Sequence, residues 1–165
     1  MNILEFKERC RKYAPCHEGE AALDACANRK EVYEVMLHPQ YYDFVMKSVQ
    51  NGWGPTPEDI LDSFGPFVNG GYRVSHMIGN RECTTDMWVR RTGVMEATTE
   101  QRILMLMGCT GLVKIPAWGT VKLCVDRSSS VEVTCGENAL VYVECYGGRV
   151  SAADGAKGSV KIKFM

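Results

Sequence analysis

Val121-Lys122-Leu123-Cys124-Val125, Val131-Glu132-Val133-Thr134-Cys135 and Val141-Tyr142-Val143-Glu144-Cys145 repeat one pattern, a valine followed by alternating polar and apolar positions. The pattern extends backward to Val113-Lys114-Ile115-Pro116-Ala117 and to the apolar run Ile103-Leu104-Met105-Leu106-Met107. It extends forward to Val150-Ser151-Ala152-Ala153-Asp154 and Val160-Lys161-Ile162-Lys163-Phe164. From Val113 the leading valines stand 8, 10, 10, 9 and 10 residues apart. Alternation puts residues i, i+2 and i+4 on one face of a strand, so each unit has an apolar face and a face carrying Lys, Glu, Ser or Thr. Links of three to five residues, rich in Gly, Ser, Asn and Asp, separate the units.

Two architectures fit this pattern. The steady period and small inward residues favour a short β-solenoid. An antiparallel meander or sandwich, with the links as hairpin loops, is the alternative. Cys135 and Cys145 share a phase and are expected to stack as a buried, reduced ladder. A solenoid end is an exposed sheet edge that needs a cover. The N-terminal half is expected to cap one end, leaving the other to a partner or to a last strand charged by Lys161 and Lys163.

That N-terminal half reads as helical. Ile3, Phe6, Cys10 and Tyr13 form an apolar stripe over residues 2–13, which Pro15 and Gly19 interrupt. Further helices are expected from Glu20 to Ala27 (Leu23, Cys26) and from Arg29 to Leu37 (Val32, Val35, Met36). A fourth has Pro39 in its first turn, Tyr41, Tyr42, Val45 and Val49 buried, and Asn51-Gly52 at its end. Thr56-Pro57-Glu58-Asp59 is the start of one more, with Thr56 as N-cap, Pro57 at N1 and acids in the first turn. Between Val68 and Gly93 the dipeptides Gly70-Gly71, Gly79-Asn80 and Thr92-Gly93 mark turns around short strands at Tyr72–Ile78 and Met87–Arg91. The chain thus reads as an α+β fold: a helical unit (1–66), a turn-rich junction with short strands (67–102) and a β-repeat unit (103–165).

Composition narrows the function classes. At 165 residues, 45% hydrophobic and 24% charged, the chain can bury a real core. Lys/Arg against Asp/Glu run seven to eight over residues 1–50, five to seven over 51–102 and seven to five over 103–165. No basic stripe stands out, so nucleic acid is not the expected partner. The start Met1-Asn2-Ile3-Leu4-Glu5-Phe6-Lys7-Glu8 has acids where a secretory signal carries a basic flank and an apolar run. No stretch has the apolar length to cross a bilayer. A cytoplasmic location in a host cell is expected, with the eight cysteines as thiols.

Candidate chemistry is sparse. Cys10, Cys16, His17 and Cys26 lack the Cys-x2–4-Cys spacing of zinc sites and read as core thiols. Cys83 and His76 are the residues a thiol-dependent hydrolase would use, but no nucleophile elbow accompanies them. No glycine loop that would cradle a phosphate is present. No cofactor or metal is therefore expected. The remaining cluster is Tyr72, Arg73, Arg81, Trp88, Arg90 and Arg91, of the residue types that dominate interfaces. Its competing reading is local pairing with Glu82, Asp86, Glu96 and Glu100.

The helical front with Cys16-His17-Glu18-Gly19, the Trp88…Arg91-Thr92-Gly93 junction and the run of roughly ten-residue Val-x-Val units resemble uncharacterised proteins of gut Bacteroidetes and their phages. Those proteins often end in monotonous alanine- and valine-rich repeats. The resemblance covers most of the chain in layout, but here the repeats vary in length and lack a fixed Tyr-Gly or Asp-Ser link. It implies a phage or mobile-element origin and brings no catalytic residues. The expected function is therefore a non-catalytic protein-binding protein, for instance a small inhibitor of a CRISPR-type host defence nuclease. A homo-oligomeric phage assembly component is the alternative, and a thiol-dependent hydrolase a distant third.

Overall fold

The computed structural model describes residues 2–12 and 16–165. Tyr13 and Pro15 lie outside the described residues, as does the side chain of Ile3. Among the described residues five helices precede ten strands. The helices are α1 (Ile3–Lys12), α2 (His17–Ala25), α3 (Arg29–Met36), α4 (Tyr42–Gln50) and α5 (Pro57–Phe64). The strands are β1 (Val74–Ile78), β2 (Arg81–Val89), β3 (Thr92–Glu96), β4 (Ile103–Met107), β5 (Thr110–Ile115), β6 (Thr120–Val125), β7 (Ser130–Cys135), β8 (Leu140–Cys145), β9 (Arg149–Ala152) and β10 (Ser159–Phe164).

Local chemistry sets the helix starts. Thr56 accepts the Asp59 amide and Asp59 accepts the Thr56 amide, a capping box completed by Pro57 at the first helical position. Asn28 caps α3 by accepting the Glu31 amide. Pro39 stands in the turn before α4 and not in its first turn: the Tyr41 and Tyr42 amides both donate to the His38 carbonyl. The helix therefore starts three residues later than the pattern suggested, at Tyr42.

The repeat units form a β-solenoid of two parallel sheets. One has six strands in the order β1-β2-β4-β6-β8-β10, the other four in the order β3-β5-β7-β9. Only β1 runs antiparallel to its neighbour; the pairings between successive turns are parallel, which excludes the meander. Thr85 pairs with Ile103, Thr120 with Leu140 and Leu140 with Ser159, steps of 18, 20 and 19 residues. The ten-residue unit is therefore half a turn, and each link carries the chain across to the other sheet. That overturns the cysteine ladder. Cys135 pairs with Ile115 in the four-stranded sheet, whereas Cys145 pairs with Val125 and Phe164 in the six-stranded one. Both thiols are buried, but on opposite walls.

The stretch 67–102 supplies β1, β2 and β3, all hydrogen-bonded into the two sheets. Thr92-Gly93, expected as a turn, opens β3, and Gly93 faces Gly111 across the ladder. Gly111 has φ +134, and a Cβ there would run into the backbone of Gly93. Only glycine permits that approach.

Two cores share the six-stranded sheet. Inward residues Trp88, Leu104, Leu106, Leu123, Val125, Val141 and Val143 meet Met95, Val113, Ile115, Val131, Val133 and Cys135 of the other sheet. Outward residues Met87, Val89, Ile103, Met105, Met107 and Cys124 meet the helices through Tyr33, Met36, Val45, Met46 and Ile60. The helical unit thus lies on a face of the solenoid and not at its end; the β1 hairpin covers the edge of β2. All five residues of β4 are buried because both of its faces are covered. Each such Leu or Met contributes about 1.5–3 kcal/mol by leaving water.

Corners need polar groups. After β6 the buried Asp126 carboxylate accepts the Gly108 amide (3.0 Å) and the Ser129 hydroxyl (2.5 Å) through Oδ1, and the Ser128 hydroxyl (2.5 Å) through Oδ2. Ser129 Oγ in turn accepts the Cys109 amide (2.9 Å), so two successive turns are tied together at this corner.

Candidate functional site

The six residues expected to form one partner face do not converge. Tyr72 donates to Glu34 (2.6 Å) under the Lys30 ammonium, and Arg73 pairs with Glu100 (2.5 Å). Arg90 pairs with Glu58 at the start of α5. Arg81 and Arg90 stand nine residues apart at opposite ends of β2, roughly 30 Å at strand rise. Trp88 is only 2% exposed: alternation turns it between the sheets beside Leu104 and Leu106, with the Arg91 guanidinium 4.3 Å from its ring centre. It is a core residue, unavailable to a partner. Arg73 lines a sizeable cavity.

That cavity is a groove of about 750 Å³ lined by Arg73, Ser75, Glu82, Thr84, Thr99, Glu100, Arg102 and Trp118. Its polar groups are held by β1, β2 and the link before β4. Ser75 donates to Glu82 Oε1 (2.5 Å), Thr84 donates to the Glu100 carbonyl, and Arg102 donates to the Thr99 carbonyl (3.1 Å). Two guanidinium groups and two carboxylates balance. Glu82 Oε2 and Glu100 Oε1 take part in none of these bonds. Trp118 is 73% exposed, and its indole has no hydrogen-bond, ring or cation partner among the described residues. Its backbone is left-handed, φ +64, which costs an ordinary L-residue about 1–2 kcal/mol. One turn on, the matching corner position is Asn138, also left-handed at φ +58. Asn tolerates this conformation and a bulky aromatic does not.

A second polar cluster joins α4 to the six-stranded sheet. Lys122 Nζ donates to Tyr42 Oη (2.8 Å) and pairs with Glu144 (3.3 Å). Tyr146 Oη lies 2.7 Å from Asp43 and 3.0 Å from Glu144. Burial pushes the Tyr42 hydroxyl up to about 12 despite the lysine beside it, and raises Tyr146 as well, helped by Asp43. Lys122 is raised in spite of burial, by Tyr42 and Glu144. These groups satisfy one another and fasten the helical layer.

The thiols follow burial. Cys10 faces the helical core with its pKa pushed up to about 12, and the Cys26 thiol donates to the Ala22 carbonyl. Cys16 is exposed ahead of α2. Cys83 and His76 do stand directly opposite each other in the β1–β2 hairpin. Burial raises the Cys83 thiol and lowers His76, which favours the neutral form of each.

At the far end, the two sheets are unequal. β10 adds a strand to the six-stranded sheet beyond the last strand, β9, of the other. Val160 and Ile162 on its inward face are only partly buried, and Phe164, in phase with them, is 70% exposed. The sequence marks this rung by Lys161 and Lys163, on the face opposite to these three residues. The fold and these sites define a helix-flanked, two-sheet β-solenoid. No protein family, curated protein or solved structure matches the chain.

Proposed function

We propose that this is a non-catalytic protein-binding protein whose docking element is the open rung at β9 and β10. One observation carries the reading: Val160, Ile162 and Phe164 face the inter-sheet space with no strand opposite them in the four-stranded sheet among the described residues. An extended segment of another chain laid against β9 would continue that sheet by backbone hydrogen bonds and cover the three side chains. Such augmentation joins main-chain pairing to burial of alternate residues, so it needs no catalytic group. Inhibition of a host defence nuclease and assembly with further copies of the chain are the two roles this end would serve.

A photo-crosslinking residue at position 164, with a control at Glu132 in the middle of the four-stranded sheet, tests the reading in the cells that make the protein. Adducts are expected from position 164 alone, and Ile162→Lys should abolish them while leaving the circular dichroism unchanged. A self-adduct assigns the assembly role and an adduct with a nuclease the inhibitory one. Equal adducts from both positions, or none from 164, would refute the proposal.

A further inference from the structure

We infer that the groove beneath Trp118 is a binding site for a neutral saccharide, independent of the docking end. The reasoning starts from the corner position itself. Residues 118 and 138 are equivalent, one turn apart, and both are left-handed. Asn138 suits that backbone; Trp118 does not, and it recovers nothing by packing, since its indole is largely in solvent. A strained, exposed aromatic retained where its counterpart is an asparagine marks a contact made with something outside the chain.

The chemistry of the groove says what that contact is. Apart from the indole its walls are polar: Arg73, Arg102, Glu82, Glu100, Ser75, Thr84 and Thr99. A protein hot spot sits in a well-packed, desolvated pocket, whereas this indole lies open to solvent over polar side chains. Arg73 is paired with Glu100 and lies 3.8 Å from the buried Asp86, so the groove offers no unpaired excess of positive charge to an anionic ligand. A ligand matched to this lining has many hydroxyls that both donate and accept, and one flat C–H face to lie on the indole. That is the description of a sugar ring. Glu82 Oε2 and Glu100 Oε1 accept from adjacent hydroxyls, and the two guanidinium groups donate to ring and hydroxyl oxygens.

A glycan array of neutral oligosaccharides, followed by titration of the best binder with tryptophan fluorescence and calorimetry, tests this. At least one neutral glycan should bind, with quenching lost in Trp118→Asn and affinity reduced about tenfold or more in Glu100→Gln. Trp118→Asn should also raise Tm by about 2–4 °C, because it places the tolerant residue on the left-handed backbone. That gain separates a binding role from a structural one. The inference is overturned if no neutral glycan binds, if Trp118→Asn binds as before, if Trp118→Asn lowers Tm, or if the groove prefers an acidic or basic peptide.

Discussion

Replacing Asp126 by alanine removes the acceptor on which one corner of the solenoid depends. Its carboxylate takes three hydrogen bonds, from the Gly108 amide and the Ser129 and Ser128 hydroxyls. Ser128 is exposed and can turn to water. The Gly108 amide and Ser129 hydroxyl are buried, although Ser129 has a fallback in the Leu106 carbonyl at 3.4 Å. One stranded amide, at about 1–3 kcal/mol, and one weakened charge-assisted bond, at about 1.5–3 kcal/mol, give a loss of about 3–5 kcal/mol. For a domain of this size that is a fall in Tm of about 6–20 °C. Asparagine keeps an oxygen for Gly108 and should cost only about 1–2 kcal/mol. Urea unfolding followed by circular dichroism gives both values, and hydrogen exchange should accelerate most at the Gly108 and Cys109 amides. A double cycle with Ser129→Ala should show coupling of about 1 kcal/mol or more, because the two side chains share the corner. If alanine costs less than about 0.5 kcal/mol and exchange at Gly108 is unchanged, the corner is not held as described.

Gly111→Ala forces a side chain into the Gly93 backbone and should cost about 3 kcal/mol or more, with faster amide exchange along β3 as the local sign. In thiol labelling of the native protein Cys16 should react at once, while Cys10, Cys109, Cys124, Cys135 and Cys145 wait for unfolding; rapid labelling of Cys124 would contradict its burial. His38 and His76, rings 4.4 Å apart, have pKa values lowered chiefly by burial, His38 also by His76. The unfolded chain therefore protonates first, so the stability they contribute is present at neutral pH and is lost as pH falls below about 6.5. The drop in urea midpoint between pH 7.5 and 5.5 should be smaller in the His38→Gln, His76→Gln double variant, and an equal drop would refute the assignment.

Alternation made the solenoid legible, because Val121, Val131 and Val141 must face one interior whichever sheet they occupy. What alternation does not encode is how many strands make a turn, and on that rests which residues stack. With two strands per turn, neighbours lie about twenty residues apart, which sends Cys135 and Cys145 to opposite sheets and sets Lys122 beside Tyr142. The docking face of the helices is plainest in β4, where Ile103, Met105 and Met107 replace the whole polar row, and it continues in Met87 and Val89 of β2. The run of Arg and Trp did not resolve into one face because it follows one strand from end to end, and because Trp88 falls on an inward position. Trp118 gave its signal only through backbone geometry, as the outlier beside Asn138.

The helices grip the six-stranded sheet from β1 to β6, continue to Tyr146 just after β8, and touch the tip once, where Gln50 Nε2 at the end of α4 donates to the Met165 carbonyl (3.0 Å). Leu140 to Gly158 is one complete turn, with its own two strands and both corners, and Ser159 takes up where Leu140 began. A copy of that segment spliced in after itself would lengthen the molecule by one strand spacing, about 4.8 Å, and would cost the helical head its bond from Gln50 to the Met165 carbonyl. The solenoid is in this sense a ruler: the span from its first strand to its last is counted in turns, and duplication of a turn lengthens it by a fixed step.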